Sequence, residues 1–249
     1  MYELEDYINY PQECLVNSKI PKNEIYTQAQ LKTRDKNIFT KKIDKIIWLY
    51  SLKPDNIRIK PYTDELKEYS EIEIIEILMK KPEETDRIAD IIQRFIPYPT
   101  FIIFKYNEQL KLCVAHQREH KSDKEKITLT DLQITNWINL LEPDQFDTKL
   151  FENLKLEKLN QTNLYQTYSS IFNNIINYNT SKEVQKEIKI PAKEVKIIND
   201  QIYEINKKIN HKKQELKKET QFNKQMDINI ELHQLKQEKN QLKQKLLED

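Results

Sequence analysis

Apolar residues along this chain recur with two different periods. From Lys36 onward, Phe39, Ile43, Ile46, Ile47 and Tyr50 fall at i, i+4, i+7, i+8 and i+11, a spacing that stacks them on one face of a helix closed by Pro54. Trp48 lies off that stripe, either as a flank of the core or as a partner contact. After the Lys53-Pro54-Asp55-Asn56 turn, Ile57 and Ile59 alternate with polar neighbours in a short strand, and Glu71 to Met79 form a longer one. Its β-branched residues begin in alternation and shift phase at Ile74-Ile75, as a bulge or burial on both faces would require, which makes it the expected central strand. Thr85 or Asp86 can cap a helix with Ile88, Ile91, Ile92 and Phe95 on one face, stopped by Pro97 and Pro99. Thr100 to Tyr106 and Leu110 to His116 are β-rich runs joined through Asn107-Glu108-Gln109, a hairpin pattern. The polar run Arg118 to Lys126 predicts an exposed loop, and Ile127 to Asp147 one further strand or a short helix. Leu164, Tyr168, Ile171, Phe172, Ile175 and Ile176 make a helical stripe. Asn177 to Pro191 is polar and ends in proline, the composition of a linker.

The last quarter follows a third pattern. Val195, Ile198, Ile202, Ile205, Ile209 and Leu216 occupy a and d positions of a heptad, with Lys212 at the one polar d position. Ile228, Leu232, Leu235, Leu242 and Leu246 repeat the 4-3 spacing, out of phase with the first set by two residues. Either an antiparallel hairpin turning near Glu219 to Lys224 or one long helix with a change of buried face satisfies that shift. Arms of similar length, about 22 residues or 33 Å at 1.5 Å per residue, favour the hairpin, with Phe222 and Met226 capping its tip. Such narrow seams on otherwise polar helices are buried on themselves or on a partner. The expected fold is therefore α+β: a small mixed or antiparallel sheet flanked by helices over residues 1–180, a linker at 181–192, and a C-terminal helical hairpin or coiled coil over 193–249.

Composition narrows the function classes. The chain has 249 residues and no glycine, which argues against phosphate-binding loops, dinucleotide fingerprints and nucleophile elbows, all of which need a residue without Cβ. With 41 basic and 40 acidic residues the net charge is +1, so no global field selects nucleic acid or an anionic membrane. Residues 181–249 carry 16 lysines against 12 acids, a mild local excess. Cys14 and Cys113 stand far apart, as small apolar residues in a reducing cytosol. No run reaches the roughly 18 apolar residues of a membrane span, and Met1 to Tyr10 lacks the layout of a signal peptide, so a cytoplasmic location with no membrane partner is expected. The abundance of Ile, Lys, Asn and Tyr at the expense of Gly, Ala and Arg is the pattern expected of codon bias in an AT-rich bacterial genome.

Two kinds of chemistry have candidate residues. Pro54-Asp55 ahead of a strand with Glu73, Glu76 and Lys80 is the general layout of a restriction-type nuclease, in which two carboxylates hold Mg²⁺ and a lysine attends the attacking water. The acid-to-lysine spacing is four where those enzymes use two, although both positions still share one face of a regular strand. His116, His120, His211 and His233 form no zinc spacing, and no cofactor or metal site is expected. Lysine pairs at 41–42, 80–81, 207–208, 212–213 and 217–218 could touch phosphates, but acids are interleaved with each, as on solvated helix faces.

Several short stretches resemble a bacterial domain-of-unknown-function family: Lys45-Ile46-Ile47-Trp48 with Tyr50 to Pro54, Glu73-Ile74, Ile96 to Pro99, Leu164 to Tyr168, and Lys218 to Asn229. That family is encoded beside SNF2-type helicase-related proteins, DNA methyltransferases and type III restriction-like helicases. The resemblance implies a component of an anti-phage defence system, with no catalytic residues to carry over. The expectation is a non-enzymatic accessory subunit docking onto a helicase or translocase, or a methyltransferase of the same locus, through its C-terminal helices. Self-association and indirect contact with DNA accompany that expectation, with a divergent nuclease or a DNA-binding module as the alternatives.

Overall fold

The computed structural model describes residues 7–8, 10–65, 67–120, 123–219 and 221–247, and side chains for all of these except 117–120, 123–130, 218 and 222. The chain divides into two compact units, one ending at Ile175 and the other beginning at Ile176.

The first unit is built on a sheet in the order β1 (Leu15–Lys19), β2 (Ile43–Leu52), β5 (Ile72–Met79), β6 (Thr100–Tyr106), β7 (Gln109–His120) and β8 (Asp123–Ile134), with β9 (Ile138–Asn139) also pairing β7. Every pair is antiparallel except β5 with β6. A parallel pair needs a crossover, and α4 (Thr85–Phe95) supplies it. The connection before β2 holds α1 (Lys22–Gln28) and α2 (Thr33–Lys42). α3 (Pro54–Ile57) is a single turn, and β3 (Tyr62–Thr63) with β4 (Glu68–Tyr69) makes a separate ribbon. α5 (Gln145–Asn153) begins in a capping box, Asp144 accepting from the Phe146 and Asp147 backbone N–H groups while Asp147 accepts from that of Asp144.

β5 is the central strand that its sequence predicts, buried along nearly its whole length. Ile75, Ile77 and Met79 pack with Ile88, Ile91 and Ile92 of α4, with Phe39 and with Ile102 and Phe104 of β6. The opposite face carries buried Ile72, Ile74, Phe101, Ile103, Leu112 and Val114, and it meets the start of α6 (Leu164–Val184). Burial of this kind contributes roughly 1.5–3 kcal/mol per large apolar side chain, so both layers are needed to hold the sheet.

Three elements differ from the sequence expectation. Only Thr33–Lys42 of the predicted 36–53 helix is helical; Ile43, Ile46, Ile47 and Tyr50 belong to strand β2. The pairing with β5 slips by one residue between Ile43 and Lys45 and again between Trp48 and Tyr50, so β2 carries the bulges and β5 none. Each bulge stretches a two-residue repeat to three, which imitates a helical stripe. Ile57 closes the α3 turn and Ile59 follows it, so neither is in a strand. Where it is described, the expected loop at 118–126 is backbone ladder, Arg118 pairing with Thr128 and Glu119 with Ile127, while Lys121 and Ser122 lie outside the described residues. The hairpin at Asn107 is present, with Asn107 itself in the left-handed region at φ 50° where short amide side chains are tolerated.

The second unit contains the end of α6, then α7 (Ala192–Lys218) and α8 (Phe222–Lys245), which pack together. The expected linker at 181–192 is helix as far as Val184 and is tied down beyond it, the Ile188 N–H donating to Ser181 Oγ and Asn199 Nδ2 donating to Thr180 Oγ1. No helix among the described residues is long and apolar enough to cross a membrane.

α6 is locked to the sheet by one hydroxyl. The β6–β7 ladder ends at Phe101 opposite Val114. Just beyond, the Tyr168 hydroxyl accepts from the Ala115 N–H at 3.1 Å and lies 2.8 Å from the Thr100 carbonyl and 2.9 Å from that of Ala115, standing where the ladder would continue. Burial holds its pKa well above the usual phenol range. Tyr168→Phe leaves a buried N–H and two carbonyls without this partner, so we expect a loss of roughly 1–3 kcal/mol in urea denaturation with the slope unchanged; stability equal to that of the parent chain would show that the hydroxyl holds nothing.

Candidate functional site

The four residues of the nuclease layout are not brought together. Asp55 is exposed in α3, at the end of the β2–β5 ladder where β5 begins, and Lys80 is exposed just past the other end. The eight residues of β5 separate those ends by about 26 Å at 3.3 Å per residue. Glu73 and Glu76 are three apart in a strand whose register with β6 is unbroken, so they face opposite sides of the sheet. Both are buried, Glu73 at 3% exposure and Glu76 at 8%. Lys80 Nζ donates to the Thr40 carbonyl at 3.3 Å. Among the described residues no three of the His, Cys, Asp and Glu side chains gather as metal ligands would.

Glu73 instead sits in a joint that the sequence pattern conceals. Trp48 and Ser51 are three apart and would ordinarily face opposite ways. The second β2 bulge places them across from Ile75 and Glu73, two residues apart on one face. Trp48 Nε1–H and Ser51 Oγ–H both donate to the Glu73 carboxyl, one to each oxygen. At the rim, Lys53 Nζ pairs with Glu71 at 2.9 Å and the Tyr98 hydroxyl hydrogen-bonds the same carboxylate. Burial raises the Glu73 pKa to about 7, the negative Glu71 adding to that while the two donors and Lys53 hold it down. Trp48 is thus the core flank that its off-stripe position suggested, half-buried against the α4 layer. A donor-lined carboxyl this deep can hold or release a proton, but it presents no nucleophile to solvent.

The other face holds an aromatic group for which the sequence reading gave no signal. The Tyr69 hydroxyl and His116 Nδ1 are hydrogen-bonded at 2.8 Å, and His116 lies against Phe172 with ring centroids 4.4 Å apart. Tyr165 stacks on Tyr62 at 5.0 Å, and Lys67 Nζ donates to its hydroxyl while standing 4.2 Å above its ring centroid. These residues come from the β3–β4 ribbon, β7 and α6, too far apart in sequence for any local period to join them. Cys14 and Cys113 are buried free thiols whose pKa values burial raises.

In the second unit the seam follows the heptad. Val195, Ile202, Ile205 and Ile209 of α7 and Leu232, Leu242 and Leu246 of the α8 arm are buried, with Ile198, Leu216, Ile228 and Leu235 half-buried beside them. The break between the helices falls after Lys218 and before Phe222, with Thr220 outside the described residues. The side chain of Phe222 lies outside the described residues. Polar Lys212 in the seam has a partner across the hairpin: its Nζ is 2.6 Å from Glu231 and 3.0 Å from Glu215, contacts that raise its pKa and lower that of Glu215. Lys239 Nζ donates to Asn206 Oδ1 at 2.8 Å, and with Lys212–Glu231 it fixes an antiparallel register.

Met226 does not cap the tip. It is 51% exposed, and Ile230, one turn on, is 53% exposed. At 100° per residue both project from the back of α8, opposite Ile228, Leu232 and Leu235. Ile197 and Tyr203 are similarly exposed on α7, so most of the exposed large apolar side chains among the described residues belong to the hairpin.

A protein-family model described as a domain of unknown function (DUF4391) matches residues 8–238, from the start of the first unit into α8. No curated protein and no solved structure matches the chain.

The Glu73 joint makes stability depend on pH. The folded chain holds the Glu73 proton with a pKa of about 7 against an ordinary 4.5, so its contribution is full below 4.5 and is lost as the pH rises through 7. Urea denaturation should show a loss of about 3 kcal/mol between pH 5 and 8 from this group, much reduced in Glu73→Gln. Identical pH profiles for the two chains would mean that Glu73 titrates as an ordinary carboxyl.

Proposed function

The chain belongs to the DUF4391 family, and from that premise we propose that it is a non-enzymatic accessory subunit of a bacterial anti-phage, restriction-like defence complex, docking onto a helicase or translocase in the cytoplasm through its C-terminal hairpin. The observation that carries the docking is the apolar pair Met226 and Ile230 on the back of α8. The hairpin satisfies its own seam, so these two side chains contribute nothing to closing it. Exposed Met and Ile one turn apart, flanked by Asp227 and Asn229, form the anchor-and-polar-rim pattern of a helix that seats in a partner's groove. The separation of Asp55, Glu73, Glu76 and Lys80 supports a role without phosphodiester chemistry. The resemblance to a family encoded beside SNF2-type helicases supports an ATP-driven translocase as the partner.

Co-expression with an SNF2-type helicase of the kind the proposal names, and recovery on the tagged full chain, tests the proposal. Met226→Glu with Ile230→Glu should cut recovery at least tenfold while helix content and thermal midpoint stay within error, because both side chains are outside the seam. Leu232→Glu, by contrast, places a charge in the seam and should lower the midpoint as well. Equal recovery of the parent chain and the double variant would sink the docking role of this face.

A further inference from the structure

The two flanks of the hairpin seam differ in charge. One groove is lined by Lys208, His211 and Lys212 against Glu231 and Glu238, a mixed set. The groove on the other flank, about 380 Å³, is lined by Lys213 from α7 and Lys236, Lys239 and Lys243 from α8, with three asparagines and Ile209 between them and no acid in the lining. Lys239 leans on Asn206 and Lys243 reaches Glu183 at 3.0 Å, while Lys213 and Lys236 extend into solvent.

We propose that this lysine groove binds the phosphate backbone of duplex nucleic acid without reading its sequence. Lys236 and Lys243 lie seven positions apart on α8, about 10 Å at 1.5 Å per residue. One strand of a duplex presents about three phosphates in that length. The asparagine amides add donors that suit phosphate and sugar oxygens. Ile209 is the one apolar lining residue, so an acidic protein segment would find no pocket for an anchoring side chain. No aromatic ring lines the groove, so it lacks the stacking platform on which single strands are held. The groove is separate from Met226 and Ile230 and stands independently of the docking proposal.

Fluorescence anisotropy of a labelled 30-base-pair DNA duplex with the full chain tests the assignment across a salt series. Changing all four lysines to Gln should weaken binding at least tenfold and flatten the slope of log K against log salt by roughly 3, at about 0.9 per phosphate contact. Lys213→Gln with Lys236→Gln touches neither the Asn206 nor the Glu183 contact; it should weaken binding about threefold or more even if the fourfold variant misfolds. Lys208→Gln on the mixed flank should change affinity less than twofold. Binding of the Lys213/Lys236 variant equal to that of the parent chain, no measurable binding at low salt, or equal displacement of the duplex by polyglutamate of matched charge would each overturn the proposal.

Discussion

A strand covered on both faces has no solvated side for a charge, and β5 carries glutamates at Glu73 and Glu76 all the same. Leaving an ionised carboxylate there without partners would cost several kcal/mol, so the surrounding chain is shaped to accept it. At Glu73 the adaptation is the second bulge of β2, which brings an indole N–H and a hydroxyl to the same carboxyl. The bulge sets the direction of Leu52 and the strand end, and hence where α3 and the Lys53–Glu71 pair stand. Burial of β5 follows in turn from its parallel neighbour β6, since the crossover helix covers one face and α6 the other.

Much of the architecture was legible wherever the apolar period was undisturbed. α4, the β6–β7 hairpin and the stripe from Leu164 each keep one period from end to end, and the phase shift of β5 at Ile74-Ile75 reports burial on both faces. β2 defeated the same rule because its two slips lengthen the repeat from Ile43 to Ile46 and from Ile47 to Tyr50, giving threes in place of twos. The polar run at 118–126 has no alternation at all, yet the β7–β8 ladder continues through the described part of it. Trp48, Ser51 and Glu73 are individually visible in the sequence, but their meeting depends on the second bulge of β2, which no sequence period marks. Tyr69, His116 and Tyr165 meet only through the tertiary fold.

The hairpin was the most readable part because a heptad seam reports burial directly. Its polar exception was informative as well: Lys212 occupies a seam position because Glu231 comes from the facing helix to meet it. A paired charge inside a narrow apolar seam acts as a register mark, since sliding one helix past the other would leave Lys212 against an apolar neighbour. The same antiparallel register sorts the remaining charges, mixed on one flank and uniformly basic on the other.

The absence of glycine has left its own trace in the backbone. Among the described residues Gln30, Arg58, Glu84 and Gln185 adopt left-handed conformations, at φ between 47° and 64°, with full side chains where a Cβ is a hindrance. Such a position costs about 1–2 kcal/mol relative to the ordinary helical region. The chain therefore holds a store of unused stability at its corners, away from the sheet, the seam and both hairpin surfaces. Glycine at these corners would draw on it one turn at a time and offset destabilising substitutions elsewhere in the chain.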